Sequence, residues 1–335
     1  MSQNDSYDNY FIIQESSMKK TVILNSAKFN FDQKLDFSNL KKISDVTEYS
    51  SSTADEIPGR VKDINILITK ELPVPADLIK KLPDSVKLIC EAGTGFNNID
   101  IAAAKEKNII VCNVPGYSTD SVAQLAFSFI LNLSSSIKQQ QLMIKQKNFD
   151  NFTRFLQVPH SEIKGKVLGV IGAGTIGKQV IKIALAFGMK VLFYDLNPGS
   201  WGDGDVTSSS IDELLKQSDF VTLHCPLTAD TRYFLDKDKL KLMKPSAFVV
   251  NTSRGALIKE NDLIEALKNK QIAGAALDVL DPEPPSIDNP MFEMENVILT
   301  PHIGWQTIEA RQRLVERLTE NISSYINGKP VNVVN

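Results

Sequence analysis

The stretch from Lys166 to Asp195 constrains the fold of this chain more than any other. It begins with a short apolar run rich in β-branched residues, Val167–Ile171, which is typical of a buried strand. A Gly-x-Gly-x-x-Gly sequence follows at once, and apolar residues at helical spacing continue as far as Gly188, a residue type that often ends helices. A second apolar run, Val191–Tyr194, then leads directly to Asp195. The order predicts a strand, a glycine turn, a helix and a second strand.

Each glycine of this turn has a physical role in binding a dinucleotide. Gly172 permits the tight turn, Gly174 lets a pyrophosphate approach the backbone, and Gly177 lets the helix pack close to its strand. The helix N-terminus, where Thr175 and Ile176 lie, offers free N–H groups and the positive end of its dipole to the phosphates.

Asp195 stands where a carboxylate can accept hydrogen bonds from a ribose diol. The same carboxylate repels a 2′-phosphate, and no Arg or Lys follows in Leu196, Asn197 and Pro198. The sequence therefore predicts NAD rather than NADP. The alternative is a glycine-bearing turn with an incidental aspartate.

Length, composition and charge exclude several classes of protein. A chain of 335 residues with 42% hydrophobic and 23% charged residues is an ordinary globular sequence of about two domains. The net charge of −3 argues against nucleic-acid or anionic-membrane partners, and no apolar run is long enough to span a membrane. The three cysteines are far apart and form no CxxC, so we expect reduced thiols, no bound metal and a cytoplasmic location.

The first part of the chain predicts a domain of its own. We interpret residues 1–17 as a disordered leader or extension, because they lack the basic start and long apolar core of a secretory signal. From Met18 to Asn113, strands and helices alternate, which predicts a parallel sheet. Gly93, Thr94 and Gly95 follow one strand, and their backbone N–H groups either cradle a substrate carboxylate or form a plain turn.

A long apolar helix is expected next, from about Ser121 to Lys147. It either crosses between domains or meets a partner subunit. Residues 148–160 carry Phe149, Phe152 and Phe155, which suit either a dimer contact or local packing.

Four later strands end in polar residues: Cys225 and Pro226, Thr252 to Arg254, Asp278, and His302. In an open parallel sheet, ligands bind at the carboxyl ends of the strands, so these residues should face the dinucleotide.

Three of the polar residues near these ends suit acid–base chemistry on a small acid. Arg254 carries a permanently charged guanidinium group that can donate paired hydrogen bonds to a carboxylate or carbonyl, although a surface arginine is the alternative. Glu283 lies in the proline-rich loop DPEPP, which can aim a carboxylate, although a solvated loop residue is the simpler interpretation. His302 titrates near neutrality and suits a proton transfer coupled to hydride transfer.

Together these features resemble the D-isomer-specific 2-hydroxyacid dehydrogenase family. The matching stretches are GAGTIG, NTSRGALI, ALDVLDPEPP and LTPHIGW, in the family's order and spacing. The stretches VCNVPGYSTDSVAQ and EARQRL, with Trp305, are most similar to the glycerate dehydrogenase, or hydroxypyruvate reductase, branch. The ordered motifs also favour a functional role for Glu283.

The resemblance implies an α/β protein with two doubly wound parallel-sheet domains. A flavodoxin-like substrate domain is expected from residues 18–117 and 302–335. A Rossmann NAD-binding domain, residues 118–301, is expected to be inserted in it. Family members are similar homodimers built through the inserted domain.

The resemblance also implies roles for individual residues. His302 is expected to be the acid–base residue, Glu283 its hydrogen-bonded partner, and Arg254 the group that binds the carboxylate and polarises the carbonyl. The N–H groups of Thr94 and Gly95 bind the carboxylate, and Lys70 points to the substrate. The remaining residues implied to line the NAD site are Cys225, Pro226, Thr231, Thr252, Ser253 and Asp278.

Two alternatives stay open at this point. Within the family, the substrate is hydroxypyruvate or glyoxylate, or else the 2-keto acid that corresponds to phosphoglycerate, D-lactate or another 2-hydroxy acid. Outside enzymes, the similar C-terminal-binding-protein corepressors are NADH-sensing interaction proteins.

Overall fold

The computed structural model describes residues 18–197, 199 and 204–335, so the expected leader at residues 1–17 and Pro198 lie outside the described part. The chain divides into two compact units, Met1–Pro115 with Gln312–Asn335 and Gly116–Arg311. The second unit therefore lies, in chain order, between two segments of the first. Its end after Arg311 is later than the expected boundary before His302, because the residues that follow Pro301 hydrogen bond to Asp278.

The first unit contains a five-stranded parallel sheet of order β2-β1-β3-β4-β5. This is the flavodoxin-like order, and it confirms the predicted fold of this part of the chain. The elements are β1 (Lys20–Ile23), α1 (Ser38–Ile43), β2 (Asp45–Glu48), α2 (Ile57–Arg60), β3 (Ile66–Thr69), α3 (Ala76–Lys81), β4 (Leu88–Glu91), α4 (Ile101–Glu106) and β5 (Ile110–Cys112).

The end of the chain returns to this sheet beside β5. The Val334 N–H donates to the Val111 carbonyl at 2.9 Å, and the Asn335 side chain hydrogen bonds to the backbone of Val111 and Ile109. Strands β3 and β4 are buried along their whole length, which explains their mostly apolar sequences. Each ends in a buried polar residue, Thr69 and Glu91 respectively.

The second unit contains a seven-stranded parallel sheet of order β12-β11-β10-β9-β6-β7-β8. Its strands are β6 (Val167–Ile171), β7 (Lys190–Tyr194), β8 (Val206–Ser208), β9 (Phe220–Leu223), β10 (Phe248–Asn251), β11 (Gly274–Leu277) and β12 (Val297–Leu299). The helices are α5 (Thr119–Ser134), α6 (Ile137–Lys145), α7 (Asp150–Thr153), α8 (Thr175–Ala186), α9 (Ile211–Gln217), α10 (Lys237–Leu240), α11 (Glu260–Lys268) and α12 (Ile308–Ile326), which continues into the first unit.

The strand order reverses at β6, whose neighbours are β7 and β9. This reversal is the point of a doubly wound sheet at which dinucleotides bind, and it confirms the predicted Rossmann fold. Successive residues of one strand enter opposite cores, since Val249 packs in one apolar cluster and Val250 in the other.

The predicted single helix from Ser121 to Lys147 is wrong. Helix α5 ends at Ser134 and α6 begins at Ile137, with Ser136 in the left-handed region at φ +49°. Three consecutive serines favour the break, because their hydroxyls compete with the helix for backbone hydrogen bonds. The Ser136 hydroxyl indeed donates to the Pro159 carbonyl at 2.5 Å. Among the described residues, no helix combines the length and the apolar character that crossing a bilayer requires.

Candidate active site

The glycine turn after β6 has the geometry that a pyrophosphate site requires. Gly172 has φ +93°, and a Cβ there lies 2.5 Å from the Cys225 backbone nitrogen. A Cβ on Gly177 lies only 2.0 Å from the Gly172 carbonyl oxygen, so α8 packs on the turn with no room for a side chain. A Cβ on Gly174 meets no atom within 4 Å. The turn is therefore closed toward the protein and open at Gly174, at the N-terminus of α8.

Asp195 is held against this turn at the end of β7. Its carboxylate accepts hydrogen bonds from the Ala173 N–H at 2.7 Å and from the Asn197 N–H at 2.8 Å. The half-buried carboxylate thus lies beside the glycine turn, where the ribose of a dinucleotide bound at the turn requires an acceptor.

The neighbouring strand ends present polar atoms that the protein leaves without partners. The Thr252 hydroxyl and His224 Nδ1 are buried and lack a hydrogen-bond partner within the described part of the chain. Burial lowers the pKa of His224 to about 4, so this ring is neutral at pH 7, and its Nε2 pairs with the Thr222 hydroxyl at 2.9 Å. Unpaired buried polar atoms at the carboxyl edge fit a site that a polar ligand completes.

The loop after β9 is fixed by its own hydrogen bonds. The Thr231 hydroxyl donates to the Pro226 carbonyl at 2.7 Å. Burial raises the pKa of the preceding Cys225 thiol to about 11, and nearby Asp195 adds to the shift, so this thiol is uncharged at neutral pH.

Glu283 and His302 lie within hydrogen-bonding distance, the arrangement that the family resemblance implies. His302 Nδ1 lies 2.9 Å from Glu283 Oε2, and both side chains remain partly exposed. The other Glu283 oxygen accepts the Leu280 N–H at 3.0 Å, which fixes the carboxylate. The pairing leaves His302 Nε2 as the ring nitrogen that can face a substrate.

The turn that carries His302 is organised by Asp278. This buried carboxylate accepts hydrogen bonds from the Thr300 hydroxyl at 2.5 Å and from the Ile303 and Gly304 N–H groups at 2.8 Å. The His302 N–H donates to the Asp278 carbonyl at 2.8 Å, and His302 itself adopts φ +54°. Burial raises the pKa of Asp278, although these hydrogen bonds oppose the shift. The sequence suggested a cofactor contact for this residue but gave no sign of this second role.

Arg254 lies beside the loop that carries Glu283. The buried Asn251 side chain donates to the Arg254 carbonyl at 2.8 Å, which shapes the turn after β10. At the next residue, a Cβ on Gly255 lies 2.0 Å from the Leu280 carbonyl oxygen, so the two loops touch through their backbones. Because β10, β11 and β12 are adjacent, Arg254, Glu283 and His302 follow three neighbouring strand ends.

The other predicted site residues belong to the first unit. The exposed Thr94 hydroxyl donates to the Val114 carbonyl at 3.1 Å, while the N–H groups of Thr94 and Gly95 donate no hydrogen bond within the described chain. They are therefore free to bind an anion. Lys70 is buried, and its Nζ lies 3.4 Å from the position of a Cβ on Gly93.

The fold and the site define a dinucleotide-dependent oxidoreductase. It has a glycine turn that opens at a helix N-terminus, an aspartate hydrogen-bonded to that turn, and a histidine–glutamate pair, all at one edge of a doubly wound sheet. The sequence model of the protein family "D-isomer specific 2-hydroxyacid dehydrogenase, NAD binding domain" matches residues 127–304. The chain belongs to the D-isomer-specific 2-hydroxyacid dehydrogenase family and is an NAD-binding enzyme of that family.

Individual relatives support this membership over nearly the whole chain. The chain is 37% identical to a hydroxypyruvate reductase of Blautia hydrogenotrophica, over 90% of this chain and 95% of that protein. It is 40% identical to a D-3-phosphoglycerate dehydrogenase of Methanocaldococcus jannaschii, over 88% of this chain but only 56% of that protein. Among solved structures, it is similar to an acyclic imino acid reductase in complex with NADPH and D-Arg. That match has a TM-score of 0.84 and 33% identity, and covers 94% of this chain and 100% of that one.

Proposed function

We propose that this enzyme reduces hydroxypyruvate to D-glycerate, and glyoxylate to glycolate, with NADH as the reductant. The observation that carries the proposal is the 2.9 Å hydrogen bond between Glu283 and His302, at the strand edge that also holds the glycine turn and Asp195. The similarity to the hydroxypyruvate reductase over most of both chains supports the choice of substrate.

The reduction requires a hydride donor, a proton donor and a group that binds the substrate carboxylate. NADH, when bound, supplies the hydride that the carbonyl carbon accepts. His302 donates the proton that the carbonyl oxygen takes up, and it is protonated again from solvent. Glu283 accepts the hydrogen bond of Nδ1–H, so the imidazole is held with Nε2 toward the substrate. Arg254 binds the substrate carboxylate and polarises the carbonyl.

We also assign substrate binding to two segments of the first unit. The unpaired N–H groups of Thr94 and Gly95 receive the carboxylate, with Lys70 as a nearby cation. The first unit, residues 18–115 and 312–335, then serves as the substrate domain, and the second unit, residues 116–311, as the NAD-binding domain.

The cofactor assignment rests on fit. Gly172, Gly174, Thr175, Ile176 and Gly177 bind the pyrophosphate, and Asp195 binds the adenosine ribose and disfavours the 2′-phosphate of NADP. The polar residues at the neighbouring strand ends line the rest of the site: Cys225, Pro226, Thr231, Thr252, Ser253 and Asp278.

We also infer a homodimer that acts in the cytoplasm on small acids, with no nucleic-acid or membrane partner. The segment around α7 exposes Phe149, Phe152 and Phe155, and the Phe152 side chain is 76% accessible. Exposed aromatic groups of this kind are enriched at protein interfaces. The free thiols Cys90, Cys112 and Cys225 suit a reducing compartment.

A phosphorylated hydroxy acid is the second candidate substrate. The identity with the phosphoglycerate dehydrogenase favours it, as does the position of Lys70 beside the Gly93 turn. The small acid remains our choice, because the similarity to the hydroxypyruvate reductase extends over nearly the full length of both proteins.

Steady-state kinetics of hydroxypyruvate reduction test the proposal. His302→Ala should lower kcat by about 10²- to 10⁴-fold, the usual contribution of general acid catalysis, while NADH binding stays within about twofold. The control is His160→Ala, since His160 is an exposed residue of a loop. Loss of NADH binding in His302→Ala, or full activity, would contradict the assigned role.

A further inference from the structure

The turn proposed to bind the substrate carboxylate offers two N–H groups from consecutive peptide planes. The Thr94 N–H shares its plane with the Gly93 carbonyl, and the Gly95 N–H shares its plane with the Thr94 carbonyl. Both peptide bonds are trans, so within each plane the N–H and the carbonyl point in opposite directions. A donor that holds the carbonyl therefore also fixes the direction in which the N–H points.

Residues that follow β5 hold both of these carbonyl groups. The Val114 N–H donates to the Gly93 carbonyl at 2.8 Å, and the Asn113 side-chain amide donates to the Thr94 carbonyl at 2.7 Å. The Thr94 hydroxyl donates in turn to the Val114 carbonyl at 3.1 Å. Both carbonyls of the turn thus face residues 113 and 114, and the N–H groups of Thr94 and Gly95 point away from them.

The second of these peptide planes depends on a side chain. The plane between Thr94 and Gly95 turns about the ψ of Thr94 and the φ of Gly95, and a glycine accepts φ values that other residues avoid. The first plane is held by a backbone donor, the Val114 N–H, which most substitutions leave in place. The Asn113 side chain is therefore the group whose loss would release the Gly95 N–H.

The main chain of Asn113 is held by the last part of the chain. Its N–H donates to the Asn332 carbonyl at 3.2 Å, and its carbonyl accepts the side-chain amide of Asn321 at 2.8 Å. Asn321 is fully buried in α12, and its side-chain oxygen accepts the Asn332 side-chain amide at 2.8 Å. The Asn113 side chain thus extends toward the turn from a backbone that is fixed on both sides.

We propose that Asn113 is a positioning residue for the substrate carboxylate, because its side chain holds the Thr94–Gly95 peptide plane with the Gly95 N–H directed at the anion. The inference rests on the proposed function, in which this turn binds the substrate acid. The carboxylate itself takes no part in the hydride transfer. Loss of a hydrogen bond to it should therefore weaken the ground state and the transition state about equally, which raises KM and leaves kcat nearly unchanged.

Steady-state kinetics of hydroxypyruvate reduction at saturating NADH test this role. Asn113→Ala should raise KM by about tenfold, as expected for a weakened hydrogen bond to a charged group, while kcat stays within about twofold. Asn113→Asp has nearly the same shape but an acceptor in place of the donor, so its KM should rise at least as much. The matched control is Asn335→Ala, whose side chain hydrogen bonds instead to the backbone of Val111 and Ile109, and its KM should equal that of the wild type.

Circular dichroism and NADH titration show which variants fold. If Asn113→Ala does not fold, Asn113→Asp decides by the same criterion, and failure of both to fold would assign Asn113 to the fold alone and overturn the inference. A folded Asn113→Ala whose KM is no higher than that of Asn335→Ala, or whose kcat falls at constant KM, overturns this inference and leaves the proposed function intact. A wild-type enzyme that binds NADH but reduces no 2-keto acid overturns the proposed function and this inference with it.

Discussion

Two glycines of one turn should respond in opposite ways to the same substitution. A Cβ on Gly177 lies 2.0 Å from the Gly172 carbonyl oxygen, whereas ordinary contact begins at 3.4 Å. In Gly177→Ala, the helix and the turn must therefore separate by about 1.4 Å, and overpacking of this kind costs about 1–3 kcal/mol. The gain in helix propensity, about 1 kcal/mol, offsets only part of this cost.

Gly174→Ala should leave the fold almost unchanged. Gly174 has φ −71° and ψ −161°, which alanine adopts without strain, and its Cβ meets no atom within 4 Å. The free energy of unfolding should change by less than about 0.5 kcal/mol. In the proposed binding mode, the new methyl group occupies the space that the pyrophosphate needs. The Kd for NADH should therefore rise at least about tenfold, or about 1.4 kcal/mol.

Urea unfolding and a fluorescence titration with NADH measure the two effects on the same samples. A Gly174→Ala variant that binds NADH as tightly as the wild type would refute the assignment of this turn to the pyrophosphate. A Gly177→Ala variant as stable as the wild type would show that the close approach of α8 to the turn does not exclude a side chain at position 177.

Three further perturbations address individual side chains. Asp195→Ala should raise the Kd for NADH about tenfold and reduce the preference for NADH over NADPH. Unchanged Kd values for both cofactors would contradict the role of Asp195. Glu283→Gln should lower kcat/KM for reduction by about tenfold or more, because Nδ1–H loses a charged acceptor, whereas NADH titration should be unaltered. Glu91, whose pKa is raised from 4.5 to about 7 in the folded chain, binds its proton more tightly when folded. It should therefore contribute stability below about pH 4.5 that is lost as pH rises through 7, about 3 kcal/mol in all. Urea unfolding at about pH 5 and about pH 8 should show this loss in the wild type but not in Glu91→Gln. The prediction is refuted if the free energy of unfolding changes equally between the two pH values in both proteins.

The parts of the fold that the sequence predicted are those with strong local signals. The central strand–turn–helix–strand unit, from Val167 to Asp195, depends on apolar periodicity and on glycines that only this geometry needs. The pairing of Glu283 with His302 was predicted from motifs that resemble a family rather than from spacing, because the two residues lie on different loops.

Other features depend on contacts that a single sequence does not show. The short strand β8 forms on the edge of the sheet beside β7, and its three residues carry no apolar pattern. The break between α5 and α6 depends on a hydrogen bond from Ser136 to Pro159, which is distant in sequence. The second role of Asp278 depends on backbone N–H groups more than twenty residues away, which have no sequence signature at all.

The most direct test of the proposed function is the oxidation of NADH by the wild-type enzyme with a panel of 2-keto acids. The panel contains hydroxypyruvate, glyoxylate, pyruvate and 3-phosphohydroxypyruvate, with NADPH in parallel. The highest kcat/KM is expected for hydroxypyruvate with NADH, with D-glycerate as the product and much slower turnover with NADPH. Faster reduction of 3-phosphohydroxypyruvate would assign the enzyme to the phosphorylated substrate, and tight NADH binding without turnover of any acid would contradict the proposed reaction.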